Sequence, residues 1–236
     1  MGWTDLLAWN PPGWGRNLFY GVITTLQISF CAYAFGLLVG LLGARGKLNG
    51  GKLTKRLLEV YTTIVRSVPE LILIVILFYT GTQGINSLLA AFGYGPVRMN
   101  GFVAAVAVLG VVQGAYSTEV IRGAIKSIPV GQIEAAQACG MSPLLLFRRI
   151  TLPAMLPYAI PGLSNLWLDA TKNSALISVV GYLELTKITQ QAAGGTKWYF
   201  TFYAAAAAIY FLISLASLQS FAALDRYLRR GQPKVR

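Results

Sequence analysis

The sequence predicts an all-α integral membrane protein, and its composition is the first reason. Of 236 residues, 55% are hydrophobic and 12% are charged, whereas about a quarter of the residues of a soluble domain are charged. This much apolar surface is poorly suited to a single water-soluble core. The second reason is that the apolar residues are gathered into stretches of about 20 residues, the length that a helix needs to cross a bilayer.

Five stretches are long and apolar enough to be predicted as spanning helices. They cover residues 17–43, 58–80, 101–121, 154–180 and 200–224. The second and fourth stretches are the least uniformly apolar. No soluble segment, low-complexity tract or inverted repeat divides the chain, so we assign 17–225 to one transmembrane domain.

The two ends of the chain differ in character. Residues 1–16 contain three tryptophans and a Pro-Pro pair, a composition suited to the membrane interface, and we expect them to lie flat on one surface. An acidic residue precedes the first apolar run, so a cleavable signal peptide is not expected. Residues 226–236 form a basic tail.

Lysine and arginine are distributed unequally between the two sides of the predicted bundle. Fourteen fall on one side, namely Arg45, Lys47, Lys52, Lys55, Arg56, Arg122, Lys126, Arg148, Arg149, Arg226, Arg229, Arg230, Lys234 and Arg236. Four fall on the other, namely Arg16, Arg98, Lys187 and Lys197. Because cytoplasmic loops are enriched in Lys and Arg, the N-terminus is predicted outside and the C-terminus inside. Topology thereby explains the net charge of +12 without a nucleic-acid partner.

The segment 127–153 on the inner side carries two sets of helix signals. Pro129 suits the first turn of a helix, and Gly140 stands where a left-handed helix end favours glycine. A Ser-Pro pair at 142–143 predicts the N-cap and first residue of a second helix, which Pro153 would end. The prediction is a cytoplasmic elbow of two helices joined at a glycine.

Small residues recur within the spans at the spacing that lets helices approach closely. They are Gly36 and Gly40, Gly110 and Gly114, and the run 204–208. Such positions are most often packing positions in lipid, and they predict a compact bundle.

Charged residues inside spans are costly, so each is a functional candidate. Three pairs lie three or four residues apart, namely Arg66 with Glu70, Glu119 with Arg122, and Asp169 with Lys172. Opposite charges at this spacing can also neutralise one another on a helix surface. For Glu119 with Arg122 we favour that structural interpretation.

Glu70 is the best candidate for contact with a polar, cationic solute. Pro69 cannot donate a backbone hydrogen bond, which frees a carbonyl near Val65 within the second span. A broken helix beside a carboxylate is tolerated mainly where it lines protein or a watery cavity. A local ion pair with Arg66 is the alternative, and the sequence leaves it open.

The fourth span is too polar for a lipid-facing helix. It contains Pro157, Pro161, Asn165, Asp169, Asn173 and Ser174. We expect it to line the same solute path, with Asn165, Asp169 and Ser174 as candidate solute-binding residues beside Glu70.

Catalytic, metal and nucleotide sites are not supported. The chain has no histidine and two cysteines, Cys31 and Cys139, which form no CxxC and are expected to be packing residues. Phosphate-binding and metalloprotease motifs are missing as well. We therefore predict no catalytic residue, no metal and no cofactor in this chain, although a buried Ser/Lys arrangement stays open. If ATP drives transport, the ATPase is another polypeptide.

The elbow also carries a family resemblance. An EAA sequence followed by a glycine and by I-x-L-P is formed by Glu134, Ala135, Ala136, Gly140, Ile150, Leu152 and Pro153. This resembles the EAA motif of bacterial ABC importer permeases. The stretches YSTEVIRGAIKSIPVGQIEAA, VRSVPELILI and TKNSALISVVGYLEL resemble the polar amino acid permease family, in particular its histidine, lysine/arginine/ornithine and opine branch.

The resemblance implies a five-helix type I importer subunit in the bacterial inner membrane. It implies that the elbow is a coupling helix whose residues 134–136 and Gly140 contact a cytoplasmic subunit, which binds ATP and Mg. It further implies a second permease subunit, homologous or identical, and a periplasmic amino-acid-binding protein. Glu70 matches the position of a substrate-contacting carboxylate, whereas residues 172–176, KNSAL, depart from the commoner K-[DS]-T-[SA]-L.

Two other functions compete with an importer permease for a basic or polar amino acid or opine. An autonomous secondary transporter or channel for a cationic solute is suggested by the intramembrane charges, but the amphipathic elbow and the missing inverted repeat disfavour it. An integral membrane enzyme is disfavoured because no catalytic constellation is recognisable.

Overall fold

The computed structural model describes residues 3–96 and 100–230, without the side chains of residues 3 and 4. The helices in these ranges are α1 (Trp3–Leu6), α2 (Gly15–Asn49), α3 (Lys52–Ser67), α4 (Glu70–Ala91), α5 (Gly101–Lys126), α6 (Val130–Ala138), α7 (Pro143–Leu146), α8 (Leu152–Asn173), α9 (Leu185–Thr196) and α10 (Tyr199–Leu228). A π-helical turn, Phe147–Thr151, joins α7 to α8, and a 3-10 segment, Ser174–Val180, follows α8. Three residues of the charge count, Arg98, Lys234 and Arg236, lie outside the described residues.

Four helices of the described chain are long and apolar enough to cross a membrane, and these are α2, α4, α5 and α10. The first, third and fifth predicted spans correspond to α2, α5 and α10. The fourth corresponds to α8 with its 3-10 extension, whose prolines and polar side chains lower its hydropathy. The all-α prediction is confirmed.

The predicted break at Pro69 is confirmed, whereas the bounds 58–80 of a single span are wrong, because the segment consists of two helices. Helix α3 ends at Ser67, Val68 is extended with φ −98° and ψ 138°, and α4 begins at Glu70. Proline lacks the amide hydrogen that would continue the helix and biases the preceding residue towards extended backbone. Glu70 therefore begins a helix, which continues past residue 80 to Ala91.

Helices α2 and α5 form the centre of the bundle and run parallel. A Cβ on Gly36 would lie 2.7 Å from the Cβ of Gln113, and one on Gly40 would meet the Cβ of Ser117. Along this contact the residue numbers of both helices increase in the same direction, so the two helices are parallel. The glycines of α5 join the same interface, since Gly110 faces a side chain of α2. The predicted close approach at these glycines is confirmed.

Helix α8 runs antiparallel to α5. In the middle of α8, Gly162 packs against Val120. After its end, Ile177 lies in a buried cluster with Leu109 of α5. The carboxyl end of α5 and the amino end of α8 therefore lie at the same end of the bundle.

Helix α10 runs antiparallel to α8. The indole of Trp167 donates to the Ser217 hydroxyl at 2.8 Å, and Arg229 donates to the backbone carbonyl of Pro157 at 2.7 Å. The carboxyl end of α10 thus joins that same end of the bundle. Of the small-residue run 204–208, only Ala206 is buried in this chain.

The N-terminal segment packs on the opposite end of the bundle. Leu6 and Leu18 form a buried cluster with residues of α9 and with Phe202 of α10, and the Trp14 ring contacts Phe202 edge-on at 6.5 Å between centroids. Helix α9 was not predicted. The placement of residues 1–16 on a membrane surface remains a prediction.

The elbow 127–153 has the expected helix starts but not the expected end. Helix α6 follows Pro129, Gly140 has φ +74°, and α7 begins at Pro143 after the N-cap Ser142. The prediction that Pro153 ends the second helix is wrong. Proline is tolerated in the first turn of a helix, so the chain passes through the π-helical turn into α8, and Pro153 lies in the first turn of α8.

Candidate functional site

The break between α3 and α4 places Glu70 in the interior of the bundle. Glu70 is half-buried at the first residue of α4, where the helix dipole favours a negative charge. The side-chain amide of Asn173 donates to Oε2 of Glu70, and the Tyr116 hydroxyl also interacts with this carboxylate. Three helices, α4, α5 and α8, therefore converge on one carboxyl group.

The depth of this carboxylate follows from its partner on α5. Tyr116 precedes the end of α5 at Lys126 by a distance of about 15 Å at the rise of an α-helix. That is about half of the hydrocarbon thickness of a bilayer. The Glu70 group thus lies near the middle of the bundle, the depth at which many transporters bind their solutes.

Asp169 and Lys172 stand beside Glu70 on α8. Lys172 Nζ lies 2.9 Å from Asp169 Oδ1, which confirms that these two residues pair. Asp169 and Lys172 both act electrostatically on Glu70. Two carboxylates face one lysine in this group, and Arg66 acts electrostatically on Tyr116. We call Glu70, Tyr116, Asp169, Lys172 and Asn173 the carboxylate cluster.

The alternative of an ion pair between Arg66 and Glu70 is not what the structure shows. Arg66 is exposed at the end of α3. The ion pairs found in residues 3–96 and 100–230 do not include these two residues. The turn at Val68 and Pro69 lies between them, so the regular i,i+4 geometry of a helix does not apply.

Neither of the remaining predicted solute residues, Asn165 and Ser174, is part of the carboxylate cluster. Asn165 is exposed on α8 one turn before Asp169. Ser174 is fully buried, and its hydroxyl donates to the backbone carbonyl of Thr171 at 2.7 Å. A serine that bonds back to its own helix turn has used its donor locally, so the structure does not bring Ser174 together with Glu70.

A second charged cluster joins the ends of α2, α3 and α5. Lys47 Nζ lies 2.6 Å from Glu59 Oε2 and 2.6 Å from Glu119 Oε1, and the Lys47 side chain is 4% exposed. Arg122 Nη2 lies 2.5 Å from Glu119 Oε2, so the predicted structural pair of Glu119 with Arg122 is confirmed. Sequence reasoning missed Lys47, because its partners come from other helices.

Glu184 is a fully buried carboxylate that sequence reasoning also missed. It caps α9 by accepting the backbone N–H groups of Thr186 at 2.9 Å and Lys187 at 2.8 Å. The hydroxyls of Thr25 and Tyr210 donate to it at 3.3 Å and 3.1 Å. An acidic residue shortly after Gly181, which has φ +89°, is a helix-start signal that could have located it.

The elbow presents a small and largely exposed surface. Glu134 and Ala135 are exposed, whereas Ala136 is buried. Gly140 is exposed, and a Cβ there would meet nothing within 4 Å. Glycine is therefore needed at this position because of the positive φ, and not because a side chain would lack space.

Groups of three or more metal-binding side chains are not found among the described residues. Cys31 is partly buried, but Cys139 is exposed on the elbow. The expectation that both cysteines are packing residues is therefore wrong for Cys139, which lies just after the end of α6.

Comparison with known proteins places this arrangement among transport permeases. The nopaline transport system permease protein NocQ of Agrobacterium fabrum is 41% identical over 96% of this chain and 97% of its own. The histidine/lysine/arginine/ornithine transport system permease protein HisQ of Escherichia coli is 36% identical over 85% of this chain and 88% of its own.

Solved structures share the fold. A crystal structure of an amino acid ABC transporter with histidines matches with a TM-score of 0.75 and 30% identity, over 91% of this chain and 95% of that one. The MetNI methionine ABC transporter matches with a TM-score of 0.69 over 91% of this chain and 95% of its own, and at 22% identity it supports the fold alone. Residues 32–230 match the family described as the binding-protein-dependent transport system inner membrane component, and the chain belongs to that family.

Proposed function

We propose that this permease subunit takes part in ATP-driven import of a basic or polar amino acid, of the histidine, lysine, arginine, ornithine or opine type. The observation that carries the proposal is the half-buried carboxylate of Glu70 in the middle of the bundle, next to the second carboxylate of Asp169. An α-ammonium, or a cationic side chain, is the solute group that such a cluster recognises. NocQ and HisQ, whose names refer to nopaline and to basic amino acids, support the same class of solute.

The proposed topology has five spans, with the N-terminus outside and the C-terminus inside. Helices α2, α5 and α10 end at the same end of the bundle, where Lys47 meets Glu119 and Arg229 meets Pro157. The basic segments after α2, α5 and α10 therefore share one side, as the positive-inside rule requires of a cytoplasmic face. The fifth span is α8 with its 3-10 extension, which packs against α5 and α10.

The elbow is proposed to receive the energy input. Glu134, Ala135 and Gly140 are exposed at the proposed cytoplasmic end, and Ile133 of the same helix packs against a buried cluster of the bundle. A separate subunit, with ATP and Mg bound, would hold this surface, and its movement would be passed through the π-helical turn into α8 as a rigid-body tilt. A second permease subunit and a periplasmic amino-acid-binding protein complete the proposed assembly in the bacterial inner membrane.

Reconstitution in liposomes tests the proposal against an autonomous transporter. The full chain is inserted with or without its ATP-binding and second permease subunits, and uptake of radiolabelled arginine is measured with the binding protein outside and ATP inside. We expect uptake only in the complete system. Uptake by this chain alone would instead establish a secondary transporter or channel.

Two glycines of the elbow provide a matched test of coupling. Gly140→Ala strains a left-handed residue by about 1–2 kcal/mol, whereas Gly131→Ala lies within α6, has open space around its Cβ and improves helix propensity. We expect Gly140→Ala to lower transport-coupled ATP hydrolysis several-fold and Gly131→Ala to leave it near the wild-type rate. Equal coupling in both variants would remove Gly140 from the proposed contact.

A further inference from the structure

Helix α3 has three faces, and only one of them is used inside the chain. The inner face packs on the bundle through Thr62 and Val65, which are buried, and through Tyr61, whose hydroxyl donates to the backbone carbonyl of Val111. The inner residues fall on the second half of the helix. The first half projects from the bundle with most of its surface exposed.

The second face of α3 is an apolar stripe. Its members recur at the spacing of one helix face and are Leu53, 71% exposed, Leu57, 61%, Val60, 50%, and Ile64, 53%. Four large apolar side chains on one exposed face are too many for a surface in contact with water. We call these four residues the α3 stripe.

The third face is basic and borders the α3 stripe. By the 100° turn per residue of an α-helix, Lys52 and Arg56 lie one above the other along the edge of the stripe, and both are exposed. The ion pairs of the described chain leave out both residues, and Glu59, the carboxylate of α3, is held by Lys47. The two cations therefore have no carboxylate partner within residues 3–96 and 100–230.

We propose that this face of α3 binds an anionic phospholipid, with Lys52 and Arg56 on the headgroup phosphate and the α3 stripe along the acyl chains. The charge of the phosphate complements two unpaired cations. The chain also runs from α3 through a two-residue turn into α4, a candidate membrane span, so the stripe continues the lipid-exposed surface of that span. Long basic side chains at a helix end extend towards the headgroups while their neighbours stay in the acyl region. This rests on the inner-side placement of α3 proposed above.

Quenching by brominated lipid tests the site in the assembled transporter. Leu57→Trp places a reporter in the α3 stripe, and the transporter without that change supplies the background of the native tryptophans, five of which lie in this chain. The transporter is reconstituted in dibrominated phosphatidylcholine, which is then replaced stepwise by unbrominated phosphatidylglycerol or, in parallel, by unbrominated phosphatidylcholine. Fluorescence recovery gives the relative affinity of the two lipids at this position.

We expect phosphatidylglycerol to restore the reporter fluorescence at a much lower fraction than phosphatidylcholine does. Adding Lys52→Gln and Arg56→Gln is expected to reduce this preference by about 30-fold, because each basic residue near an anionic headgroup contributes about 5-fold. The matched control, Arg226→Gln with Arg230→Gln, removes two exposed charges at the same end of the bundle and is expected to retain the preference.

Three results would overturn the proposal. A reporter that brominated lipid does not quench would show that protein covers the α3 stripe. Equal recovery with both lipids would show no preference for an anionic headgroup, and equal loss in the control variant would show a general charge effect. Arginine uptake by the same vesicles reports separately on the proposed transport function, so a failure of the lipid site and a failure of that function are distinguishable.

Discussion

Glu70 and Glu184 both begin a helix, yet their surroundings are opposite. Glu184 is fully buried and has four protein donors, two backbone N–H groups and two hydroxyls. Glu70 is half-buried, receives the amide of Asn173, and stands near a second carboxylate, Asp169. The first carboxylate accepts four hydrogen bonds from the protein, whereas the second interacts with Asn173 and Tyr116 and lies near both Asp169 and Lys172.

The difference separates a structural carboxyl group from the proposed solute-binding one. A buried carboxyl group is tolerated when hydrogen bonds surround it, and at Glu184 these bonds join α2, α9 and α10. At Glu70 a like charge nearby is a cost to the empty protein, and a bound cation would relieve it. The role of a carboxyl group in the bundle therefore depends on which hydrogen-bond donors surround it, and not on its charge alone.

The largest effect is expected for Glu184→Ala. This change leaves four donors without their acceptor, so we expect the free energy of unfolding to fall by about 3 kcal/mol. Glu184→Gln keeps one acceptor oxygen and should lose less. Thermal unfolding of the purified transporter measures both, and an unchanged midpoint in the alanine variant would contradict the structural role.

A smaller loss is expected for Lys47→Met, which extends the comparison to a carboxylate held by cations. Glu119 would keep Arg122 but lose the buried Lys47. Because Glu59 is mostly exposed, we expect a loss of about 2 kcal/mol in the free energy of unfolding. Arg122→Gln, at a more exposed position, is the control and should lose about 1 kcal/mol or less. Equal losses would show that the burial of Lys47 is not what matters.

Glu70→Gln is expected to change transport and to leave stability nearly unchanged. Removing the charge while retaining the volume should lower uptake of arginine about 10-fold, the equivalent of about 1.4 kcal/mol of binding. A zwitterionic substrate such as glutamine should be affected less if it is carried at all. Glu184→Gln, measured in parallel for unfolding and uptake, is the control. Loss of stability in Glu70→Gln without selective loss of arginine uptake would make Glu70 a second structural carboxylate.

Much of the fold could be predicted because it depends on local signals. The apolar stretches predicted α2, α5 and α10, and Gly140 and Pro143 marked the turn of the elbow. Pro153 was misleading because the same residue can end a helix or occupy its first turn. Which of the two occurs depends on the neighbouring packing of α8, which a local pattern does not contain.

The candidate site was predictable only in part for the same reason. Glu70 and Asp169 stood out because charge in a span is costly wherever it points. Among their partners, Asn173 was noted only as one of several polar residues of the fourth span, and Tyr116 was not predicted, since an ordinary polar residue carries no such signal. Arg66 shows the converse error: proximity in sequence suggested a pair that the turn at Pro69 separates.

The smallest effect is the pH dependence of the buried carboxylate. Burial raises the pKa of Glu184 above its ordinary value, although its hydrogen-bond donors oppose this. A raised pKa in the folded state favours the neutral acid, so the contribution of this group to stability is complete below the ordinary carboxyl pKa of about 4.3 and is lost as pH rises through the raised pKa. Glu184→Gln does not titrate at this position, so other groups cancel in the difference between the two proteins. We expect the thermal midpoint of the wild type, relative to that of the variant, to fall as pH rises above the ordinary carboxyl pKa. A difference that instead rises with pH would mean that the four donors outweigh burial and hold Glu184 ionised.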